Sequence, residues 1–288
     1  TLCLVIKILK KKLRRLLNEL FKLLEFKLKV NITKYDGFRL EIIPEKKRAD
    51  IILSRPPLNI IQYSQRDVMA KVFKEMDANN DVRIIVLRAD GKNFSSGGNI
   101  EGFMQETPET LTMLAQNVMT PEKIRKPVIA AIQGYCFGVG LEFALACDFR
   151  IVTKSAQLSL PEMKIGMIPG SGGSVRLARM IGLSRVKDMI MRGKRITGDE
   201  AYNYGIAAEL VEDDELENMT SILVKELCLV SPVAQRAIKT VLNSSQDAPL
   251  HIGIELEGET YGRLRSSNDF KEGVQSFVEK RKPVYKGS

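Results

Sequence analysis

Gly134, Gly138 and Gly140 fall within seven residues of one another, and Glu142 follows two positions later. The run before them, Val128-Ile-Ala-Ala-Ile, is short, apolar and rich in β-branched side chains, the pattern of a buried strand. Residues 141–148 are small and apolar enough for a packed helix. Glycines at a strand-to-helix turn let the backbone approach a ligand closely, and the first N–H groups of a helix have no partner inside it. With the helix dipole behind them, such donors can hold an oxygen that gains negative charge during a reaction. Glu142, in the first helical turn, sets a carboxylate beside that anion site. An ordinary tight turn followed by an N-terminal helix glutamate has the same sequence, so the motif alone leaves both readings open.

The chain that must position these groups has 288 residues, 44% hydrophobic and 27% charged, which is enough for a substantial core in one or two domains. Cys3, Cys136, Cys147 and Cys228 are scattered without paired spacing and read as reduced, buried residues of a cytoplasmic protein. His251 is the single histidine, so no metal site built from several histidines is expected. A Ser-His-Asp triad would have to pass through that residue, which reads instead as packing or surface. Residues 1–34 hold ten Lys and Arg against two Glu, and so account for +8 of the net charge of +9. The body is nearly neutral, and nucleic-acid binding is not expected of it.

Within residues 1–33, Leu9, Leu13, Leu16, Leu17, Leu20 and Leu24 recur at helical spacing among Lys and Arg. This predicts a basic amphipathic extension, too charged to span a bilayer, that reads as accessory or adventitious in preference to one that docks on an anionic membrane surface or a partner. Phe38-Arg-Leu-Glu-Ile-Ile and Ala49-Asp-Ile-Ile-Leu-Ser read as a hairpin, and Arg55-Pro-Pro-Leu-Asn59 as a loop. Val68, Met69, Val72, Phe73 and Met76 mark an amphipathic helix; Arg83-Ile-Ile-Val-Leu-Arg88 and Phe149-Arg-Ile-Val-Thr are strands; a helix is expected over about 108–120. Ile168-Pro-Gly-Ser-Gly-Gly173 is a further turn feeding a helix, and beyond about residue 195 the pattern is mostly helical. The result is α/β architecture with glycine-rich turns gathered at strand ends.

Four segments, in order, resemble the crotonase (enoyl-CoA hydratase/isomerase) superfamily over roughly residues 35–288. Phe94-Ser-Ser-Gly-Gly-Asn-Ile is similar to its first oxyanion loop, and Ile129 through Glu142 to its second. Leu160-Pro-Glu162 with Gly166-Met-Ile-Pro-Gly-Ser-Gly-Gly173 resembles the segment that carries a second glutamate, and the segment from Phe270 to Pro283 its C-terminal helix. The resemblance implies a spiral of ββα repeats over 34–230 and a helical C-terminal region over 231–288 that builds homotrimers, often paired into hexamers. It implies an acyl-CoA thioester as substrate and no cofactor beyond that coenzyme A. The backbone N–H groups of Gly98 and Val139 would form the oxyanion hole, a device worth about 3–4 kcal/mol per donor. Glu142 and Glu162 would be the catalytic pair, one acting on the water that attacks C3 and the other giving a proton to C2. Backbone groups of Ser96 and Gly97 would receive the adenine, and Phe277 and Lys280 would touch the coenzyme A of a neighbouring subunit.

Without the resemblance, Glu162 reads as an exposed residue after a proline, and Lys280 as part of an ordinary basic helix end. Val139 departs from the family's usual glycine, and Asn99 stands where an acidic residue is common. The loop at Arg55 resembles that of cyclic dienoyl-CoA hydratases of anaerobic aromatic degradation. Reversible hydration of a 2-enoyl-CoA or cyclic dienoyl-CoA is therefore the leading expectation. A double-bond isomerase, which usually needs one carboxylate, is the nearest rival, and another crotonase-type CoA-thioester enzyme, a hydrolase or carbon–carbon lyase, is a further one. An RNA- or membrane-binding protein on the same scaffold is the rival of another class, motivated only by the basic extension.

Overall fold

A computed structural model describes residues 30–288. The helix expected from Leu9 to Leu24, and Cys3, lie outside the described residues. The first strand, β1 (Asn31–Tyr35), crosses the boundary expected at residue 33 and pairs antiparallel with β2 (Phe38–Ile43). Its side chains are mostly exposed and polar, so it carries little of the alternation that marks a half-buried strand.

The expected hairpin is present. β2 pairs antiparallel with β3 (Arg48–Leu53) through a short 3-10 turn that closes on Lys47, whose φ is 51°. The helix α1 (Tyr63–Ala78) then crosses to β4 (Ile84–Ala89), which is parallel to β3. β5 (Val128–Ile132), β7 (Phe149–Thr153) and β10 (Glu209–Val211) continue the sheet in parallel, giving the order β1-β2-β3-β4-β5-β7-β10. Every residue of β3 and β5 is buried, as befits parallel strands covered on both faces. A second sheet joins β6 (Tyr135–Phe137), β8 (Gln157–Ser159) and β9 (Ile196–Thr197). The sequence read the glycine stretch as one turn between strand and helix; β6 interrupts it.

Two short helices, α2 (Ile100–Phe103) and α3 (Pro108–Val118), follow β4, and α4 (Thr120–Lys123) leads into β5. After β6 comes α5 (Val139–Ala146), and after β8 come α6 (Gly173–Ile181), α7 (Leu183–Met191) and α8 (Gly198–Asn203). One face of the main sheet packs on α1 and α5 through Met69, Phe73, Leu87, Phe94, Leu141 and Phe143. The other packs on α9 (Leu216–Cys228), where Val224 meets Ile84, Val86, Ile129 and Ile151.

The remaining helices are α10 (Pro232–Ser245), α11 (Leu250–Leu264) and α12 (Asn268–Val278). Lys239 ties α10 to the core: its Nζ donates to the carbonyls of Pro121 (2.7 Å) and Lys126 (2.9 Å) and to Asp148 Oδ2 (2.7 Å). The outer faces of this region expose large apolar side chains, among them Leu250, Tyr261, Phe277 and Val278. Among the described residues no helix is long and apolar enough to cross a membrane.

Candidate active site

Loops at the carboxyl ends of the parallel strands meet above the sheet, the usual ligand position in open α/β sheets. The loop after β3 buttresses the loop after β4. Asn59 Nδ2 donates to the carbonyls of Asp90 (2.9 Å) and Asn93 (2.8 Å), and Ser95 Oγ donates to the Asn59 carbonyl (2.8 Å). Gly98 is thereby held in a parallel bridge with Ile61.

Gly98 lies against α5. A Cβ added to it would stand 3.7 Å from Val139 Cγ1, so the two expected oxyanion positions are neighbours. Among the described residues neither the Gly98 N–H nor the Val139 N–H donates to a protein acceptor. Val139 is the first residue of α5, where a helix leaves its N–H groups free. Its side chain is buried beside Gly98, so the departure from glycine fills space and leaves the donor in place.

Glu142 sits one turn into α5, a helix with all eight residues buried. Its Oε1 accepts from the backbone N–H of Ser171 (2.7 Å) and of Gly173 (3.1 Å). The glycine-rich turn before α6 therefore holds this carboxylate. Gly173 has no room for a side chain, because a Cβ there would meet Leu160 Cδ1 at 2.9 Å and Glu142 Cγ at 3.0 Å.

Glu162 opens a short 3-10 turn after Pro161 and is partly buried, unlike the exposed residue its local sequence suggests. Its Oε1 lies 3.1 Å from the position of a Cβ on Gly138, and its Oε2 is buried without a hydrogen-bond partner. Burial pushes its pKa up to about 7, and the charge of nearby Glu142 adds to the rise. Gly138 has φ 51° and ψ −129°, a conformation that favours glycine, and it turns the chain from β6 into α5. The structure thus brings Glu142, Glu162, Gly98 and Val139 into one pocket: two carboxyl groups beside two free N–H donors.

The other expected residues are placed differently. The N–H of Ser96 donates to Leu58 (2.8 Å), that of Gly97 donates to Ser95 Oγ (3.1 Å), and the Gly97 carbonyl accepts from Ile61 (2.9 Å). Of their backbone groups, the Ser96 carbonyl accepts no such bond among the described residues. Phe277, 85% exposed, and Lys280, with φ 54°, lie on or just past α12 and make no hydrogen bond or ring contact with the pocket in this single chain. Asn99 caps α2 through its contact with the Gly102 N–H and also donates to Gln62 (2.9 Å). His251 is exposed on α11. A cavity of about 690 Å³ near Gln133, Gly134 and Asp213 contains none of the expected site residues, so buried carboxyl groups and free donors locate the chemistry better than cavity size.

One residue of α1, Arg66, belongs to the pocket and was not expected there; its guanidinium lies over the Tyr63 ring. Arg66 is 3% exposed, and its Nη2 lies 3.0 Å from the Cβ position of Gly98. A signal was present: Arg66 precedes Met69 by three positions and Phe73 by seven, which puts it on the buried face of the helix.

A family model described as enoyl-CoA hydratase/isomerase matches residues 45–288. A carnitinyl-CoA dehydratase of Salmonella paratyphi A is 32% identical over 253 residues, covering 83% of this chain and 94% of its own. The crystal structure of an enoyl-CoA hydratase from Bacillus anthracis superimposes with a TM-score of 0.80 at 30% identity, covering 90% of this chain and all of the other. An enoyl-CoA hydratase/carnitine racemase structure from Magnetospirillum magneticum gives a TM-score of 0.80 at 27% identity over 88% of this chain and 97% of the other.

Proposed function

The chain belongs to the enoyl-CoA hydratase/isomerase family, with its α/β crotonase-like fold, and we propose that it adds water reversibly across the C2–C3 double bond of a 2-enoyl-CoA or a cyclic dienoyl-CoA. The observation that carries this reading is the unequal pair of carboxyl groups. Glu142 is held as an acceptor by two backbone donors, whereas Glu162 has a buried oxygen with none and a pKa raised to about 7. That inequality supplies a base and an acid in one pocket.

In the hydration direction Glu142 takes a proton from water as its oxygen bonds to C3. The π electrons move toward C2, and the charge spreads onto the thioester oxygen held by the N–H groups of Gly98 and Val139. Glu162 then gives its proton to C2. The pair ends with its proton on the opposite carboxyl group, and transfer through the next water restores the starting state. Dehydration runs the same steps backwards, with ionised Glu162 removing the C2 proton. Coenzyme A enters as part of the substrate, gripped at the thioester by this hole and, in an assembled trimer or hexamer, by Phe277 and Lys280 of a neighbouring copy. The exposed apolar side chains of α11 and α12 support such assembly.

The test is loss of the enoyl-thioester ultraviolet absorbance with crotonyl-CoA and a cyclic dienoyl-CoA, for the wild type and for Glu142→Gln and Glu162→Gln. Turnover of at least one substrate by the wild type, with severe loss in both variants, is expected. No hydration of either substrate, or a fully active Glu162→Gln, overturns the two-glutamate mechanism and turns attention to isomerase chemistry.

A further inference from the structure

We propose that Arg66, with the Tyr63 hydroxyl beside it, is a specificity-determining residue that binds an anionic oxygen group on the acyl part of the substrate, so that the preferred thioesters carry a carboxylate. The inference rests on the reading that an acyl-CoA occupies the pocket at Gly98.

Burying a guanidinium is expensive unless its donors are paired. The other buried arginines among the described residues obey that rule. Arg48 is paired with Asp50 and Glu217, and Arg150 donates to the carbonyls of Ala144 and Cys147. Arg66, equally buried, makes no hydrogen bond or ion pair among the described residues, and its Nε is buried without a partner. Its guanidinium lies over the face of the Tyr63 ring, 5.0 Å from the centroid. The Tyr63 hydroxyl is itself buried and unpartnered.

Two hydrogen-bonding groups on one turn of α1 are thus unsatisfied among the described residues, and the guanidinium of the first reaches Gly98 with its Nη2. A guanidinium has only donors, and its planar fork matches the two oxygens of a carboxylate. The location argues for a ligand-binding charge over a purely structural one. Arg66 Nη2 stands beside Gly98, whose N–H is set for the thioester oxygen, so a group bound there belongs to the same ligand. Arg66 also feels the charge of Glu142, but the oxygen of Glu142 that has recorded bonds is held by backbone donors without it. A role confined to steadying Glu142 would affect every substrate alike, whereas recognition of a carboxylate affects only those that carry one.

The experiment compares binding of glutaryl-CoA and pentanoyl-CoA by calorimetry. Both are saturated five-carbon thioesters, they differ in the terminal carboxylate, and neither can be hydrated. The wild type is expected to bind glutaryl-CoA about tenfold tighter or more. Arg66→Met should abolish that preference and leave pentanoyl-CoA affinity within about threefold. Arg66→Lys, which keeps the charge without the fork, should retain part of it. Equal binding of the two ligands by the wild type, a preference that survives in Arg66→Met, or equal losses for both ligands would each overturn the proposal. Should Arg66→Met fail to fold, the wild-type preference and the Arg66→Lys variant decide. Hydration of crotonyl-CoA and of a cyclic dienoyl-CoA, measured on the same preparations, separates the two readings. A carboxylate preference without hydration of either supports the anion site and overturns the reaction, whereas hydration with no binding of glutaryl-CoA overturns the anion site and leaves the reaction standing.

Discussion

Glu142 and Glu162 share a pocket but not an environment: Oε1 of Glu142 accepts two backbone N–H groups, at 2.7 Å and 3.1 Å, while Oε2 of Glu162 is buried with none. An oxygen that serves two fixed donors acts as an acceptor, which suits a base. A carboxyl group raised by burial to about 7, with one oxygen lacking any partner, holds its proton, which suits an acid. The fold produces the difference by planting one glutamate on a buried helix and the other on a 3-10 turn.

Replacing either carboxyl group by an amide of the same shape removes a proton-transfer step that contributes about 10²–10⁴-fold. Glu142→Gln and Glu162→Gln should each lower kcat by that order in the ultraviolet assay. The double variant should lose less than the product of the two single losses, because the groups act as a unit.

The raised pKa of Glu162 sets the pH dependence of the two directions. Hydration needs it protonated, so kcat/KM for hydration should fall as pH rises through about 7. Dehydration needs it ionised and should rise through the same range. The folded state also binds more protons here than the unfolded chain between the ordinary value of 4.5 and about 7, so stability falls as pH rises through that window and then levels off. Glu162→Gln should therefore melt higher than the wild type at pH 8 but not at pH 4, by an amount on the order of 2 kcal/mol after allowance for partial exposure.

Gly138 controls how closely the second glutamate approaches. Gly138→Ala puts a methyl group at a φ of 51° and 3.1 Å from Glu162 Oε1. The variant should stay folded, lose about 1–2 kcal/mol of stability, and show a disproportionate loss of kcat. Chemical denaturation run beside the kinetic assay separates the two effects.

Lys239 gathers two carbonyls and Asp148 under α10, and it is 8% exposed. Lys239→Met leaves the Asp148 carboxylate without its ion-pair partner, which should destabilise the fold by about 3–5 kcal/mol. Asp148→Asn on the Lys239→Met background should recover part of that loss, as read by the urea midpoint at neutral pH.

Much of this arrangement was legible before any coordinates. Strand β7 spans the five residues its β-branched pattern marks, and Glu142 falls in the first turn of a helix, because both follow from local periodicity and turn chemistry. Strand β6 was hidden because three residues between two glycines show no period, and its partners lie over twenty residues away. The burial of Glu162 was equally hidden, since it depends on Gly138, which is distant in sequence and touches it only through the fold. Arg66 was missed for another reason. A charged residue in an amphipathic pattern is assigned to solvent by default, although its spacing from Met69 and Phe73 placed it on the buried face.

The helix that bears Glu142 is buried at every position, whereas Met163 and Ile165, beside Glu162, are 42% and 48% exposed. Regions open according to how much apolar contact holds them. The turn that bears Glu162 should therefore open at a lower free energy than α5 and carry the acid away while the base and the sheet beneath it stay in place. In low urea the protein would then fall silent as an enzyme well before its secondary structure melts, and it would recover on dilution without having to refold.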